Sequence, residues 1–336
     1  MLEFNVVGGT VVRELIANAR PEIVEVVRST YLTHHAGDTV NPNSYFLRFP
    51  DKPNARIIAL PAYLGGKDSV AGIKWIGSFP DNVQHNLPRA SAVLLLNDYE
   101  TGYPFACLEA SQISAARTAA SAVLAAEELT GGRTAAKIAV VGSGVIARNI
   151  VDFFLDQQWQ VGEFAVYDMV AEYAGQLTGY LERAGRTASV APTLAEATRD
   201  ADVVVLATTA ANPYISGADA FAPGQVVLNV SLRDIDPDVI LGAHNVLDDI
   251  DHCLTANTSP HLAEQQVGHR DFIDGTLAQL MSKEIELSTD KPLIFSPFGL
   301  GVLDLAVGVH VLQRAIQQNR VVAIDGFFGE TERWGS

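Results

Sequence analysis

The apolar residues Val12, Leu15, Ile16, Ile23, Val26, Val27 and Tyr31 recur at helical spacing, and Pro21 suits the opening of a second segment. Two amphipathic helices are therefore expected between Thr10 and His35. The texture changes between Ser44 and Leu108, where SYFLRF, ARIIALPA, SVAGIKWIGSF, SAVLLLND and YPFACLE alternate or run apolar between Pro, Gly, Asn and Asp. That pattern predicts an antiparallel β region. Within it, alternation aims Lys74 away from the side taken by Ile73 and Trp75. The Ala-rich run SQISAARTAASAVLAAEELTGG reads as a helix that bridges two domains, with Ser111 as its N-cap and Gly131-Gly132 as its stop. From Lys137 onward, KIAVVG, EFAVYD, DVVVLATT, QVVLNVS and HNVLDD alternate with helical or turn segments, which implies a parallel sheet with crossover helices. The last helix, GVLDLAVGVHVLQRAIQQN, is amphipathic and is expected to pack back on the N-terminal part.

The stretch KIAVVGSGVIARNIVDFFL places Gly142, Gly144 and Ala147 as G-x-G-x-x-A directly after a strand and at the mouth of a helix. Gly142 permits the tight turn, Gly144 lets the backbone approach a pyrophosphate, and Ala147 allows close helix-strand packing. EFAVYD then ends at Asp168, 21 residues after Ala147, where a carboxylate bonds ribose hydroxyls and repels a 2′-phosphate. The cofactor expected is NAD. Thr208 and Thr209 end another strand, on the sheet edge where a dinucleotide lies. In VVLNVSLRDIDPDVI, Asp236 and Pro237 look like an N-cap and first helical position, so Asp234 falls in a loop on that same edge.

Composition narrows the partners. A formal net charge of -16 with a pI near 4.8 opposes binding to nucleic acid, and no basic run offsets it. Cys107 and Cys253 are the only cysteines, without a disulfide framework or zinc spacing, so a reducing cytoplasm is expected. The N-terminus lacks the apolar core of a signal peptide, and no window has the length of a membrane span. His252, His261 and His269 are separated by nine and eight residues, which fits no metal motif, so no metal is expected. His269 and Arg270, in GHRDF, are candidates for a substrate-side loop.

In their order and separation, GIKW, YPFACLEASQISAARTAA, VVGSGVIA, VYD and LNVSLRD resemble the ornithine cyclodeaminase/mu-crystallin family over nearly the whole chain. ARIIALPAYLGG, NLPRASAVLLLNDYETGYPFACLE, VSLRDI, GHRDF and FSPFGLGVLDLAVG are similar to the branch that forms 2,3-diaminopropionate, the N-(2-amino-2-carboxyethyl)-L-glutamate dehydrogenases that supply siderophore and peptide-antibiotic pathways. The resemblance implies an α/β fold: a Rossmann-type NAD-binding domain at 121–311, and an α+β substrate-binding and dimerisation domain at 1–120 joined by 312–336. It implies a homodimer. It also implies that Lys74 and Arg117 hold the carboxylate of a small amino-acid substrate, that Arg117 and Thr118 touch the cofactor phosphates, and that Asp234 is the catalytic acid/base, with Lys74 at the reacting centre. The expected NAD contacts are Arg117, Thr118, Gly142, Gly144, Val145, Ile146, Asp168, Thr208, Asn229 and Ser231.

Two departures matter. Where the family commonly has an arginine on the first strand of the β region, this chain has Asn43 and Ser44, leaving Arg48 and Arg89 as further carboxylate ligands. The loop before the catalytic acid is usually glycine-rich, but here it is SLRD, which argues against a cyclodeaminase. Competing readings are another amino-acid dehydrogenase, ketimine reductase or cyclodeaminase of the family, or a mu-crystallin-like nucleotide or ligand carrier. Retention of Lys74, Arg117 and Asp234 together argues against a pure carrier.

Overall fold

A computed structural model describes residues 3–66 and 69–334. The chain divides into two compact units, Met1–Arg117 with Leu300–Ser336, and Thr118–Gly299. The first unit opens with strand β1 (Asn5–Val7) and helices α1 (Gly9–Ala17) and α2 (Arg20–His35), with Pro21 in the first turn of α2. Then come β2 (Thr39–Val40), β3 (Tyr45–Phe49), β4 (Lys52–Leu64), β5 (Val70–Ser78), β6 (Ala90–Asp98) and β7 (Pro104–Glu109). β3 to β7 pair antiparallel in sequence order, as the alternating pattern predicts. The sheet as a whole is mixed, because β1 adds to β7 in parallel. Three residues are too few to display a period, which is why β1 was not expected.

The register sorts the two faces of this sheet. Leu60, Lys74 and Leu94 lie opposite one another in one cross-strand row and are buried, whereas Ala59, Trp75 and Val93 form the neighbouring row, in which Trp75 and Val93 are exposed. Lys74 therefore points inward, as alternation requires. Helix α3 (Ser111–Thr130) follows, and the division between the units falls inside it. Ser111 is the first helical residue and not the cap. The carboxylate of Glu109 does the capping, accepting from Ser111 N at 2.8 Å and Gln112 N at 3.3 Å.

The second unit holds β8 (Thr134–Val141), α4 (Val145–Asp156), β9 (Gln160–Tyr167), α5 (Ala171–Arg183), β10 (Ala188–Val190), α6 (Leu194–Thr198), β11 (Val203–Leu206) and β12 (Val226–Asn229). It continues through α7 (Pro237–Leu241), β13 (His244–Leu247), α8 (Ile250–Cys253), α9 (Ser259–Val267), β14 (Gly275–Thr276), α10 (Leu277–Met281) and β15 (Leu293–Ser296). Its eight strands run in the order β10-β9-β8-β11-β12-β15-β13-β14 and every pairing is parallel. β11, β12 and β15 are buried throughout, so they show apolar runs without alternation, the last two ending in the buried polar residues Asn229 and Ser296. β15 inserts between β12 and β13, a crossover that local sequence pattern does not announce.

The chain then returns to the first unit with α11 (Gly301–Gln317) and β16 (Val322–Ala323), the latter antiparallel to β1. The return comes at Leu300, earlier than the expected residue 312. The reason is that the apolar face of α11 packs on α2, β4, β5 and β6, all elements of the first unit.

Candidate active-site residues

In the first unit, β5, α3 and α11 bring three charged side chains together. Lys74 Nζ donates to Asp304 Oδ2 at 2.6 Å and to Ser114 Oγ at 3.2 Å, and Arg117 Nε donates to Asp304 Oδ1 at 3.2 Å. Lys74 is 2% exposed and Asp304 0%, so the ion pair is dry. Desolvation is the largest influence on Lys74 and lowers its pKa from 10.5 to about 8; the charge of Asp304 opposes this and that of Arg117 adds to it. The amine thus stays mostly protonated at pH 7. Asp304 and Ser114 were not anticipated. The available signal was an acid within the apolar run Val302, Leu303, Leu305, Ala306 of a helix that buries that face.

In the second unit, the turn between β8 and α4 has the form a dinucleotide needs. Gly142 has φ +89°, and a Cβ there would lie 2.5 Å from the carbonyl oxygen of Ala207, so glycine is required. Gly144 is the N-cap of α4, and a Cβ on it would meet nothing within 4 Å, which leaves room for a phosphate at the helix N-terminus. Val145 is exposed, Ile146 is half-buried, and Ala147 is buried against the sheet. Asp168, just past β9, accepts from Ser143 N and Val170 N, both at 2.9 Å. Each of its oxygens has lone pairs left for a ribose hydroxyl. Asn229 is buried and donates to Ser296 Oγ at 3.1 Å, while its Oδ1 has no partner among the described residues. These residues fit NAD.

Asp234 follows β12 and is fully buried. Thr208 Oγ1 donates to both its oxygens at 2.9 and 2.8 Å, Tyr214 OH to Oδ2 at 3.0 Å and Ser231 Oγ to Oδ2 at 2.7 Å. Thr208 and Ser231, expected to touch the cofactor, thus bond to the expected acid/base, and Tyr214 is an addition that the sequence reading missed. Burial and the adjacent Asp234 carboxylate push the Tyr214 phenol upward, so it remains a donor at neutral pH. Its backbone joins in: Tyr214 N and Ile215 N both donate to Asp234 O at 3.0 Å. In SLRD, Leu232 has φ +73°, the left-handed region that glycine favours, so this loop keeps a glycine-like bend while carrying a bulky side chain. Asp236 caps α7 through Asp238 N, as expected.

Other expected residues lie elsewhere. Arg48 is exposed on β3 with its guanidinium 5.3 Å from the Phe46 ring centroid, opposite Arg56 and four residues along β4 from Leu60, the partner of Lys74. That is about 13 Å along the strand. Arg89 precedes β6 and is out of phase with the face that Lys74 occupies. Arg270 pairs with Asp251 and Glu264 at 2.7 Å, and His269 lies 3.4 Å from Asp271, so both are engaged in surface pairs. His252 packs edge-on against Phe298 with ring centroids 4.8 Å apart.

The profile of the ornithine cyclodeaminase/mu-crystallin family matches residues 10–319. The chain is 31% identical to the N-((2S)-2-amino-2-carboxyethyl)-L-glutamate dehydrogenase of Staphylococcus aureus, over 88% of this chain and 90% of that one. An archaeal alanine dehydrogenase dimer solved with bound NAD superposes with a TM-score of 0.85 at 25% identity, covering 97% of this chain and 100% of the other. The Δ1-pyrroline-2-carboxylate reductase of Thermococcus litoralis, solved with NADH and L-proline, superposes at 0.87 with 21% identity over 96% and 100% of the two chains. The last likeness bears on the fold alone.

Proposed function

The chain belongs to the ornithine cyclodeaminase/mu-crystallin family, and from that premise we propose that it oxidises N-(2-amino-2-carboxyethyl)-L-glutamate with NAD+ and releases L-2,3-diaminopropionate and 2-oxoglutarate for siderophore or peptide-antibiotic assembly. At the coarser level it is an NAD-dependent oxidoreductase of the amino-acid and imine class. The observation that carries the substrate assignment is the 31% identity, over 88% of the chain, to a dehydrogenase that acts on it; buried Lys74 and partly buried Arg117 support a carboxylate ligand.

NAD+, when bound, supplies the hydride acceptor for the glutamate-side Cα–H bond. The turn at Gly142 and Gly144 with the α4 N-terminus would hold its pyrophosphate, and Asp168 its ribose. Lys74 and Arg117 would pair with a substrate carboxylate, Arg117 by its planar fork. Loss of hydride leaves a carbon-nitrogen double bond on the substrate. Asp234 would take a proton from the water that adds to that carbon and return one to the departing amine, so that one water and one NAD+ are consumed per diaminopropionate and 2-oxoglutarate released.

The test is to incubate the protein with NAD+ and the three-carboxylate substrate and to weigh the products by mass spectrometry. NADH, 2-oxoglutarate and L-2,3-diaminopropionate should form in equal amounts, and ornithine should give neither proline nor ammonia at a comparable rate. Proline from ornithine, or no NADH from the proposed substrate, overturns the assignment. A second reading, oxidation of a simple amino acid, draws on the similarity to alanine dehydrogenase. NADH formation from L-alanine in the same assay would favour it.

We also propose that the protein is a homodimer. Tyr45, Trp75 and Val93 are exposed and share one cross-strand row through Ala59, on the sheet face opposite Lys74. Burying such apolar surface against a second copy is favourable. Sedimentation should give a dimer, and Trp75→Glu should give a monomer; a monomeric unmodified protein at micromolar concentration would refute this.

A further inference from the structure

Asp304 lies in the first turn of α11, where the helix N-terminus favours a negative charge, and both of its oxygens are engaged by cations from other elements. Among the described residues, the charged groups that face Lys74 are Asp304 from α11 and Arg117 from α3; its cross-strand neighbours, Leu60 of β4 and Leu94 of β6, are apolar. Two cations against one carboxylate leave the cluster a single net positive charge.

We infer, resting on the reading of Lys74 and Arg117 as the carboxylate anchor, that Asp304 is its positioning residue: it keeps Lys74 cationic, aims the guanidinium of Arg117, and limits the anchor to one substrate carboxylate. The first clause follows from burial. A lysine amine out of water sheds its proton unless an anion compensates, and Asp304 is the anion within hydrogen-bond distance. The second follows from the Nε contact, which fixes the plane of the guanidinium while Lys74 is held on the other carboxylate oxygen. The third is charge counting, since a second anion in so buried a cluster would leave it net negative, at a cost no remaining cation offsets. The further carboxylates of a larger substrate must then be met by cations outside the cluster, which makes this an anchor for the amino-acid carboxylate and not the group that selects the substrate.

Lysine-selective 13Cε NMR tests this without substrate. The chain has six lysines, so the Lys74 signal is identified by its loss in Lys74→Met. Its titration midpoint should lie near 8 in the unmodified protein, fall by about 1 to 3 pH units in Asp304→Asn, and return most of the way in Asp304→Glu. Acetate should raise the midpoint, and malonate should do so at no lower concentration. An unmoved midpoint in Asp304→Asn overturns the inference, as does an onset at lower malonate than acetate. If Asp304→Asn does not fold, the unmodified protein and Asp304→Glu decide, and a midpoint below about 6 in both, where a buried amine is neutral at pH 7 despite the carboxylate, overturns it. These readings need no turnover, so they fail separately from the substrate assignment, which only the product assay tests.

Discussion

Asp304 in the first unit and Asp234 in the second are both fully buried carboxylates, yet cations answer the first and hydroxyls the second. The difference is one of reversibility. Protonating Asp304 would leave Lys74 and Arg117 facing a neutral acid. Protonating Asp234 strands nothing, because a hydroxyl that donates to a carboxylate can rotate and accept from a carboxylic acid. Cations hold one carboxylate in place; hydroxyls that can donate or accept surround the other. That is the division of labour expected between holding a substrate and moving its protons.

The largest effect should fall on the second of these. Asp234→Asn preserves shape but cannot take a proton, so turnover should drop about 100- to 10,000-fold, the usual contribution of a positioned acid/base. NAD+ binding, followed by fluorescence titration, should be nearly unchanged. Retention of more than a tenth of the turnover would break the comparison.

The first cluster should give the next effect. Lys74→Ala removes a charge-assisted hydrogen bond of about 1.5 to 3 kcal/mol, which corresponds to about 10- to 150-fold in kcat/KM. It should raise KM as well as lower kcat, because the anchor acts on bound substrate and transition state alike. The pH dependence has a definite sign: the ammonium is the binding form, so kcat/KM should fall as pH rises through about 8, the lowered value of Lys74. Lys74→Arg should carry the plateau beyond that pH. An alkaline limb that stays in place in Lys74→Arg belongs to another group.

These contrasts also mark where sequence stops being informative. The α2 helix, the β4–β6 sheet, the turn at Gly142 and the inward aim of Lys74 all follow from local period or from a residue's own backbone needs. Asp304 and Tyr214 do not, since they meet their partners across 230 and 20 residues of chain. β15 inserts between β12 and β13, and that pairing order across distant segments leaves no mark in local pattern. Ser111 was misjudged as a cap because Glu109, two residues earlier, reaches back to the same N–H groups. Arg48 and Arg89 looked equivalent as cations in sequence, and only the register separates them by face.

A third carboxylate sharpens the contrast with a smaller effect. Asp168 is answered by backbone N–H groups and is not fully buried, a setting suited to selecting a ligand. Asp168→Ser should cut the preference for NAD over NADP on the order of 10-fold, by removing a repulsion of about 1 to 4 kcal/mol from the 2′-phosphate, and should leave kcat with NAD+ nearly unchanged. Equal binding of the two cofactors by the unmodified protein would sink this.

The smallest expected effect is the most pointed test of the hydroxyl ring. Tyr214→Phe keeps the aromatic body and its packing but deletes one of the hydroxyls that hold Asp234. A single hydrogen bond is worth about 0.5 to 1.5 kcal/mol net, so kcat should fall about 2- to 10-fold. KM and NAD+ affinity should hold, because Tyr214 reaches Asp234 and not the groups assigned to substrate carboxylate or pyrophosphate. Thr208→Val should act similarly, and because both hydroxyls serve one carboxylate, the double variant should lose more than the product of the two single losses. Strict additivity would mean that the hydroxyls act independently, and an unchanged kcat in Tyr214→Phe would mean that the ring only fills space around Asp234 and has no part in moving its proton.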